Sequence, residues 1–165
     1  MLTYQTMDTP AGPLTAVVGD SGAVRASGFT TDVEELLALI HPALREEAKP
    51  VRSLPAIEDA VRSYFDGAVD ALDGVAVEQR TGGEFMAHAW HVMRDIKPGS
   101  PVTYSQFAEL AGRPAAIRAA AAACARNPVA LFVPCHRVLR LDGSLGGYRW
   151  GLPVKRWLLD HEAAV

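Results

Sequence analysis

The stretch Ser105–Arg126, SQFAELAGRPAAIRAAAAACAR, carries two helix signals with one stop between them. Ser105 to Ala111 reads as a helix that Gly112 ends, and Pro114, at a first-turn position, starts another that runs to Arg126. Two helices joined at a glycine are the helix-turn-helix signature. The second is unusual: AAIRAAAAACAR presents methyl groups and few side chains long enough to hold another surface away. Alanine is the best helix former, so a buried packing helix explains that composition equally well. If the face meets DNA, it suits close approach and not the reading of base edges, which takes Arg, Asn or Gln along the contact face.

Upstream, Thr81 and Glu84 have capping-box spacing, and Phe85, Ala89, Trp90, Met93 and Ile96 supply one apolar face of a helix that Pro98-Gly99 ends. The first 80 residues read as a small α+β lobe. Leu2 to Thr9, Leu14 to Gly19 and Ala23 to Phe29 are expected strands, with turns at Gly12-Pro13 and Asp20-Ser21-Gly22. Thr31 with Glu34 offers a capping box for a helix through Ile40. A second helix from Pro55 is expected to bury Ile57, Val61, Tyr64 and Phe65 before Gly67 stops it. The division expected is therefore a support lobe over residues 1–80 and a mainly helical second domain over residues 81–165.

Charge follows the same division. Residues 1–80 carry 6 Lys/Arg against 13 Asp/Glu, a balance of −7, and residues 81–165 carry 10 against 6, a balance of +4. Eight basic residues and one acid, Asp142, lie between Arg113 and Arg156. That local excess fits a surface that meets phosphates, and equally a solvated basic face. The opening residues MLTYQTMDTP lack the pattern of a signal peptide, and Arg118, Arg126 and Asn127 interrupt the apolar stretch from Pro114 to Val133, so it is not a membrane span. A cytoplasmic location is expected. The two cysteines, Cys124 and Cys135, are too few for a disulfide framework and read as thiols.

Downstream of the second helix, Val129 to Val133 is an expected apolar strand that leads into Pro134-Cys135-His136-Arg137-Val138. A thiol is a weak nucleophile at its ordinary pKa of about 8.5, and a neighbouring imidazole and guanidinium favour the thiolate. Cys135 therefore reads as a candidate nucleophile, although neighbouring side chains usually diverge. Cys124, with no histidine beside it, reads as a buried, inert thiol.

The surroundings of PCHRV carry a resemblance. Asn127-Pro128, the apolar run, PCHRV, then Asp142-Gly143-Ser144-Leu145-Gly146-Gly147-Tyr148-Arg149-Trp150-Gly151, then Val154-Lys155-Arg156-Trp157-Leu158-Leu159 and His161-Glu162 resemble, in order and spacing, the O6-alkylguanine-DNA alkyltransferases. These are also called methylated-DNA-protein-cysteine methyltransferases. The close likeness covers about Thr103 to Glu162, and the first lobe agrees only in size and layout.

The resemblance implies an α+β chain: a small N-terminal lobe, ribonuclease-H-like, followed by a winged helix-turn-helix domain. It makes Cys135 the acceptor of an alkyl group from O6 of guanine, or from O4 of thymine, in an irreversible, stoichiometric repair of double-stranded DNA by base flipping. His136 becomes a base that reaches the thiol through a water, and Glu162 the residue that orients it. Asn127 would hold the backbone between the recognition helix and the active-site strand, and the Tyr104 hydroxyl would protonate or hydrogen-bond the departing guanine. Arg118 would fill the gap left by the flipped nucleotide, with Ala116, Ala119 and Arg137 on the DNA-binding surface. The backbone at Cys135 and Val138 and the loop Tyr148-Arg149 would hold the base edge. No cofactor and no metal is implied, the partner is DNA containing O6-alkylguanine, and a monomer without membrane attachment is expected.

This sequence also departs from the family's common pattern. Thr81-Gly82-Gly83-Glu84-Phe85-Met86 stands where many members have an Arg-Gly-Thr and a Gln after the Phe, and Arg149-Trp150 replaces the small residues of some relatives. No cysteine in the first half could serve as a zinc ligand, and His88 and His91, one turn apart, read as surface or capping residues. Two rivals stay open: a cysteine hydrolase, since Cys, His and an acid are also triad vocabulary, and a protein that binds alkylated DNA without chemistry.

Overall fold

The computed structural model describes residues 1–164; Val165, the last residue of the expected second domain, lies outside them. It is a mixed α+β chain that divides into two compact units. One is Met1–Arg80 with Pro128–Phe132, and the other is Thr81–Asn127 with Val133–Val165.

The first unit is built on a four-stranded sheet in the order β3-β2-β1-β4. Its strands are β1 (Leu2–Met7), β2 (Leu14–Val18), β3 (Val24–Gly28) and β4 (Ala48–Pro50). The first three are antiparallel neighbours, as expected of strands joined by short turns, while β4 runs parallel to β1. Every residue of β2 is buried, which is what a central strand covered on both faces requires. Helix α1 (Val33–Leu37) is shorter than the sequence suggested, and its cap is Asp32, whose carboxylate accepts from the Glu34 amide at 3.1 Å, instead of Thr31. Helix α2 (Pro55–Phe65) begins at Pro55 and buries Ile57, Val61 and Tyr64, with Phe65 half-exposed.

The run Val129–Val133 is not a strand. Val129 makes one isolated bridge to Ser27, the Ser27 amide donates to Pro128 O at 2.9 Å, and Ala130 N donates to Ser27 O at 3.0 Å. The chain then turns, with Leu131 at φ 74°. All five residues are nonetheless buried. Five apolar residues in a row report burial and not a period, so the sequence could not tell a buried turn from a strand.

In the second unit, α3 (Glu84–Met93) starts at Gly83 without a side-chain cap, and the Thr81 hydroxyl instead accepts from the Gly83 amide at 3.3 Å. The helix ends at Met93, so Ile96 lies beyond it. Strand β5 (Val102–Thr103) leads directly into α4 (Tyr104–Leu110), where Thr103 and Gln106 form a reciprocal capping box that satisfies two terminal amides. After a turn at Gly112 comes α5 (Ile117–Ala125), three residues later than Pro114 suggested. It packs on α3 and α4. The alanines make this possible: Ala120 and Ala123 are fully buried, and Trp90 comes close enough for its indole N–H to donate to Ala123 O at 2.9 Å. Strand β6 (Val138–Leu139) pairs in parallel with β5, and α6 (Leu152–Ala163) closes the unit. Among the described residues no helix is long and apolar enough to cross a membrane.

Candidate active site

Pro134, at φ −83° and ψ 66°, turns the chain into one tight 3-10 turn, Cys135–Arg137, before β6. Asn127 braces this turn from the other side, its amide donating to Val133 O at 2.7 Å. The pairing of Val102 with Val138 and Thr103 with Leu139 carries Tyr104, the first residue of α4, alongside the strand that follows Cys135. The result is a cleft of about 150 Å³ whose wall includes Tyr104, Cys124, Asn127, Cys135, Tyr148, Arg149 and Trp150. A wider cleft in the first unit, with Asp8, Glu58, Arg62 and Asp66 on its walls, contains no cysteine or histidine, and Glu58 there is already held by Gln5, Ser53 and Arg62.

Cys135 is 8% exposed and forms part of the cleft wall. Burial pushes the thiol up from its ordinary value, and the Asn127 hydrogen bond and the Lys155 charge offset only part of that. The expectation that an adjacent guanidinium activates the thiol is thus corrected, because Arg137 points the other way. It is 4% exposed, its Nε and Nη2 donate to the Glu162 carboxylate at 2.8 and 3.1 Å, and its Nη1 donates to Ile96 O at 2.8 Å. With its guanidinium engaged inside the unit, Arg137 is not on a DNA-facing surface.

His136 is fully buried, and its Nε2 lies 2.7 Å from the same Glu162 carboxylate. A carboxylate on Nε2 selects the tautomer with its proton there and leaves the lone pair on Nδ1. Nδ1 is buried and has no hydrogen-bond partner among the described residues. Burial lowers the His136 pKa and outweighs the opposing pull of Glu162, so the ring is neutral near pH 7. Burial alone would raise Glu162, but His136 and Arg137 hold it far below the ordinary carboxylate range.

The remaining sequence candidates sit as follows. Tyr104 is half-buried, and burial raises its phenol. Val138 is buried, Tyr148 is half-buried, and Arg149 is exposed with its guanidinium donating to Ala125 O at 3.3 Å. Arg118 is exposed on α5, with Ala119 and the capping residue Ala116 partly exposed beside it. Cys124 is half-exposed on the cleft wall, not buried as expected, although its surroundings still push its thiol far up. Sequence reasoning missed Lys155, which is 1% exposed. Its one signal was spacing: Lys155, Leu158 and Glu162 share the i, i+3, i+7 face of α6 and are its buried residues. No cluster of three or more metal-binding side chains occurs among the described residues.

Residues 84–164 match the family described as 6-O-methylguanine DNA methyltransferase, DNA binding domain. The chain is 35% identical to the methylated-DNA–protein-cysteine methyltransferase of Shigella flexneri, across 93% of this chain and 91% of that protein. It is 33% identical to the protein of the same name from Mycobacterium tuberculosis, across 98% and 93%. Among solved structures, the Mycobacterium tuberculosis O6-methylguanine methyltransferase superposes with a TM-score of 0.79 at 30% identity, covering 99% of this chain and 94% of that one. The Mycobacterium tuberculosis OGT in complex with DNA gives 0.79 at 28%, covering 98% and 93%.

Proposed function

We propose that in this chain, which belongs to the methylated-DNA–protein-cysteine methyltransferase family, the sulfur of Cys135 is the atom that takes an alkyl group directly from damaged DNA. The reaction is DNA repair by alkyl transfer to a cysteine. The observation that carries the assignment is the cleft with the Cys135 thiol at its wall, next to a neutral His136 whose outer nitrogen is held by Glu162.

In this reading the thiol loses its proton to His136 Nδ1 through a bridging water, and Glu162 stabilises the imidazolium as it forms. The thiolate attacks the alkyl carbon, the carbon–oxygen bond breaks, and its electrons leave on O6 of guanine. The Tyr104 hydroxyl offers that departing oxyanion a hydrogen bond or a proton. A thioether remains on Cys135, so each molecule acts once. O4-alkylthymine is a second candidate substrate for the same displacement.

An O6-alkyl group lies within the base stack of a duplex, so the nucleotide must rotate out at a cost of a few kcal/mol. The α4–Gly112–α5 pair is read as a helix-turn-helix with a wing after β6, and the first unit as a ribonuclease-H-like support lobe. Arg118, exposed on α5, is the wedge for the gap, and Ala116 and Ala119 allow the helix close to the duplex. The backbone at Val138 and the loop Tyr148-Arg149 hold the base edge. The protein is read as a cytoplasmic monomer that needs no cofactor.

The test is intact mass after mixing with excess O6-methylguanine duplex. One methyl group should appear per chain, mapped to the peptide holding Pro134 and Cys135. Repair of many equivalents per chain overturns the reading in favour of a turning-over hydrolase, and methylation at Cys124 overturns the residue assignment.

A further inference from the structure

We infer that Cys124 and Cys135 together form a dithiol site for a trivalent arsenical, a ligand that takes two thiols at once and would seal the acceptor cleft. Both are free thiols, and both belong to the wall of the same cleft. From α5 that wall takes Ala121, Cys124 and Ala125, an i, i+3, i+4 set that shares one helix face. Cys124 is therefore turned to the cleft and away from the packed face of Ala120 and Ala123. Between two alanines, its sulfur is the only reactive atom that α5 offers there.

The backbone brings the second thiol to the same place. The Asn127 backbone amide donates to Cys124 O at 3.4 Å, its side-chain amide donates to Val133 O at 2.7 Å, and the Cys135 amide donates to that same carbonyl at 2.8 Å. One asparagine thus joins the end of α5 to the turn that carries Cys135. The cleft, about 150 Å³, is smaller than the roughly 300–1,000 Å³ of a pocket for a drug-sized ligand, so a small group held by one thiol lies within reach of the other.

Two thiols without further ligands select the class of ligand. Among the described residues no third metal-binding side chain joins the pair. A divalent cation such as zinc takes four ligands and needs its sulfurs as thiolates, whereas burial pushes both of these thiols up and makes two charged sulfurs in one cleft costly. A trivalent arsenical needs neither more ligands nor charge. Methylarsonous acid, which carries one methyl and two hydroxyl groups on arsenic, condenses with two neutral thiols: both S–H and both As–OH bonds break, two As–S bonds form, and two waters leave. Arsenic stays trivalent and nothing is oxidised or reduced. The product is uncharged, as a cleft that keeps its thiols neutral requires, and the Cys135 sulfur within it is no longer free to attack an alkyl carbon.

The site needs no DNA and no alkyl transfer, so its test stands apart from the functional reading. Methylarsonous acid is titrated into the wild type, Cys124→Ala and Cys135→Ser in competition with glutathione, and X-ray absorption at the arsenic edge counts the As–S bonds of the bound state. The wild type should show two As–S bonds and hold arsenic about a hundredfold or more tightly than either variant, the gain from a second ligand on one frame. Cadmium ion, which must take both sulfurs as thiolates, should gain much less from the second thiol. A single As–S bond in the wild type, equal retention by the wild type and Cys124→Ala, or a gain for cadmium as large as that for the arsenical overturns the inference. Alanine at 124 suits a helix already rich in it, and if either variant fails to fold, the bond count in the wild type decides alone. Wild type methylated beforehand at Cys135 should bind arsenic no better than Cys135→Ser, and two As–S bonds in that form would also overturn the site. If the wild type takes no methyl group from DNA, the functional reading fails, while the arsenic measurements on the unmethylated chain still decide the dithiol site.

Discussion

The two units bury different kinds of polar group. In the first, the buried polar residues are Thr15 and Ser27: the Thr15 hydroxyl donates to Thr30 O at 2.6 Å and pairs with the Thr6 hydroxyl at 2.7 Å, while the Ser27 hydroxyl has no hydrogen-bond partner among the described residues. In the second they are Asn127, His136, Arg137, Lys155 and Glu162. Hydroxyls are cheap to bury once hydrogen-bonded, whereas charges carry a desolvation cost that their mutual attraction often only just offsets. Apolar residues of similar volume would hold the second unit together at least as well. In the second unit His136 and Arg137 adjoin Cys135 in one turn and both meet Glu162, and the proposed chemistry, not stability, gives these buried charges a use. Glu162 is the economical part of the arrangement, since one carboxylate receives both Arg137 and His136.

The largest effect expected is at that carboxylate. Glu162→Gln keeps the shape but strands the Arg137 guanidinium, so the chain should lose about 3–5 kcal/mol in urea denaturation. Its alkyl transfer should fall by about tenfold or more, because the imidazolium loses its partner. Replacing the pair together, as Arg137→Met with Glu162→Leu, should recover much of the stability and none of the rate. If the double variant is as unstable as the single, the pair is structural and the contrast between the units collapses.

A smaller effect should follow pH, with the same sign from two groups. The folded pKa of His136 lies below its ordinary 6.5, so between those two values the unfolded chain binds the extra proton and stability falls as pH drops below about 6.5. Glu162 lies below its ordinary 4.5, so its contribution is complete above that value and lost as pH falls through the depressed one. A tenfold difference in proton affinity between the folded and unfolded chain is worth about 1.4 kcal/mol. The thiol acts on rate instead: raised by burial, Cys135 should alkylate faster as pH climbs from neutral, without a plateau near pH 7. A flat stability profile from pH 7 to 4, or a rate plateau at neutral pH, would contradict these assignments.

Much of this was legible in the sequence. β1 to β3, α2 and the α4–α5 pair followed from turn residues, Pro55 and Gly112, which act locally. What failed depended on partners far away in sequence. Val129–Val133 is defined by hydrogen bonds from Ser27, about a hundred residues earlier, and no local pattern encodes that. Arg137 and Lys155 were counted into the basic excess between Arg113 and Arg156, but both are buried, while the other six basic residues there are exposed. Charge can be counted from a sequence; its direction cannot. Within PCHRV, Cys135 stands on a cleft wall, but the arginine two residues on turned inward to the Glu162 carboxylate, a direction that no local pattern in the sequence sets.

In the first unit, Thr15→Val should cost only about 1 kcal/mol, the scale of one buried neutral hydrogen bond, and leave alkyl transfer at the wild-type rate. A comparable loss of rate would mean that the sheet takes part in the chemistry.

The smallest effect on stability, and the most selective on function, is expected at a charge that stayed outside. Arg118 is exposed on α5, and among the described residues no hydrogen bond or ion pair ties its side chain to the rest of the unit. Arg118→Ala should therefore leave the urea midpoint unmoved, and alanine, as the better helix former, does not disturb α5. Its loss should be felt only when a nucleotide has to leave a stack, because a wedge has no work to do on a free base. The measurement pairs the single-turnover rate on O6-methylguanine duplex with the rate on the free modified base, at two salt concentrations. Repair of the duplex should slow while the reaction with the free base does not, and duplex binding should still weaken with salt through the remaining exposed arginines. Equal slowing on both substrates would mean that Arg118 shapes the cleft, and the division between charges buried for chemistry and charges exposed for DNA would have to be redrawn at α5.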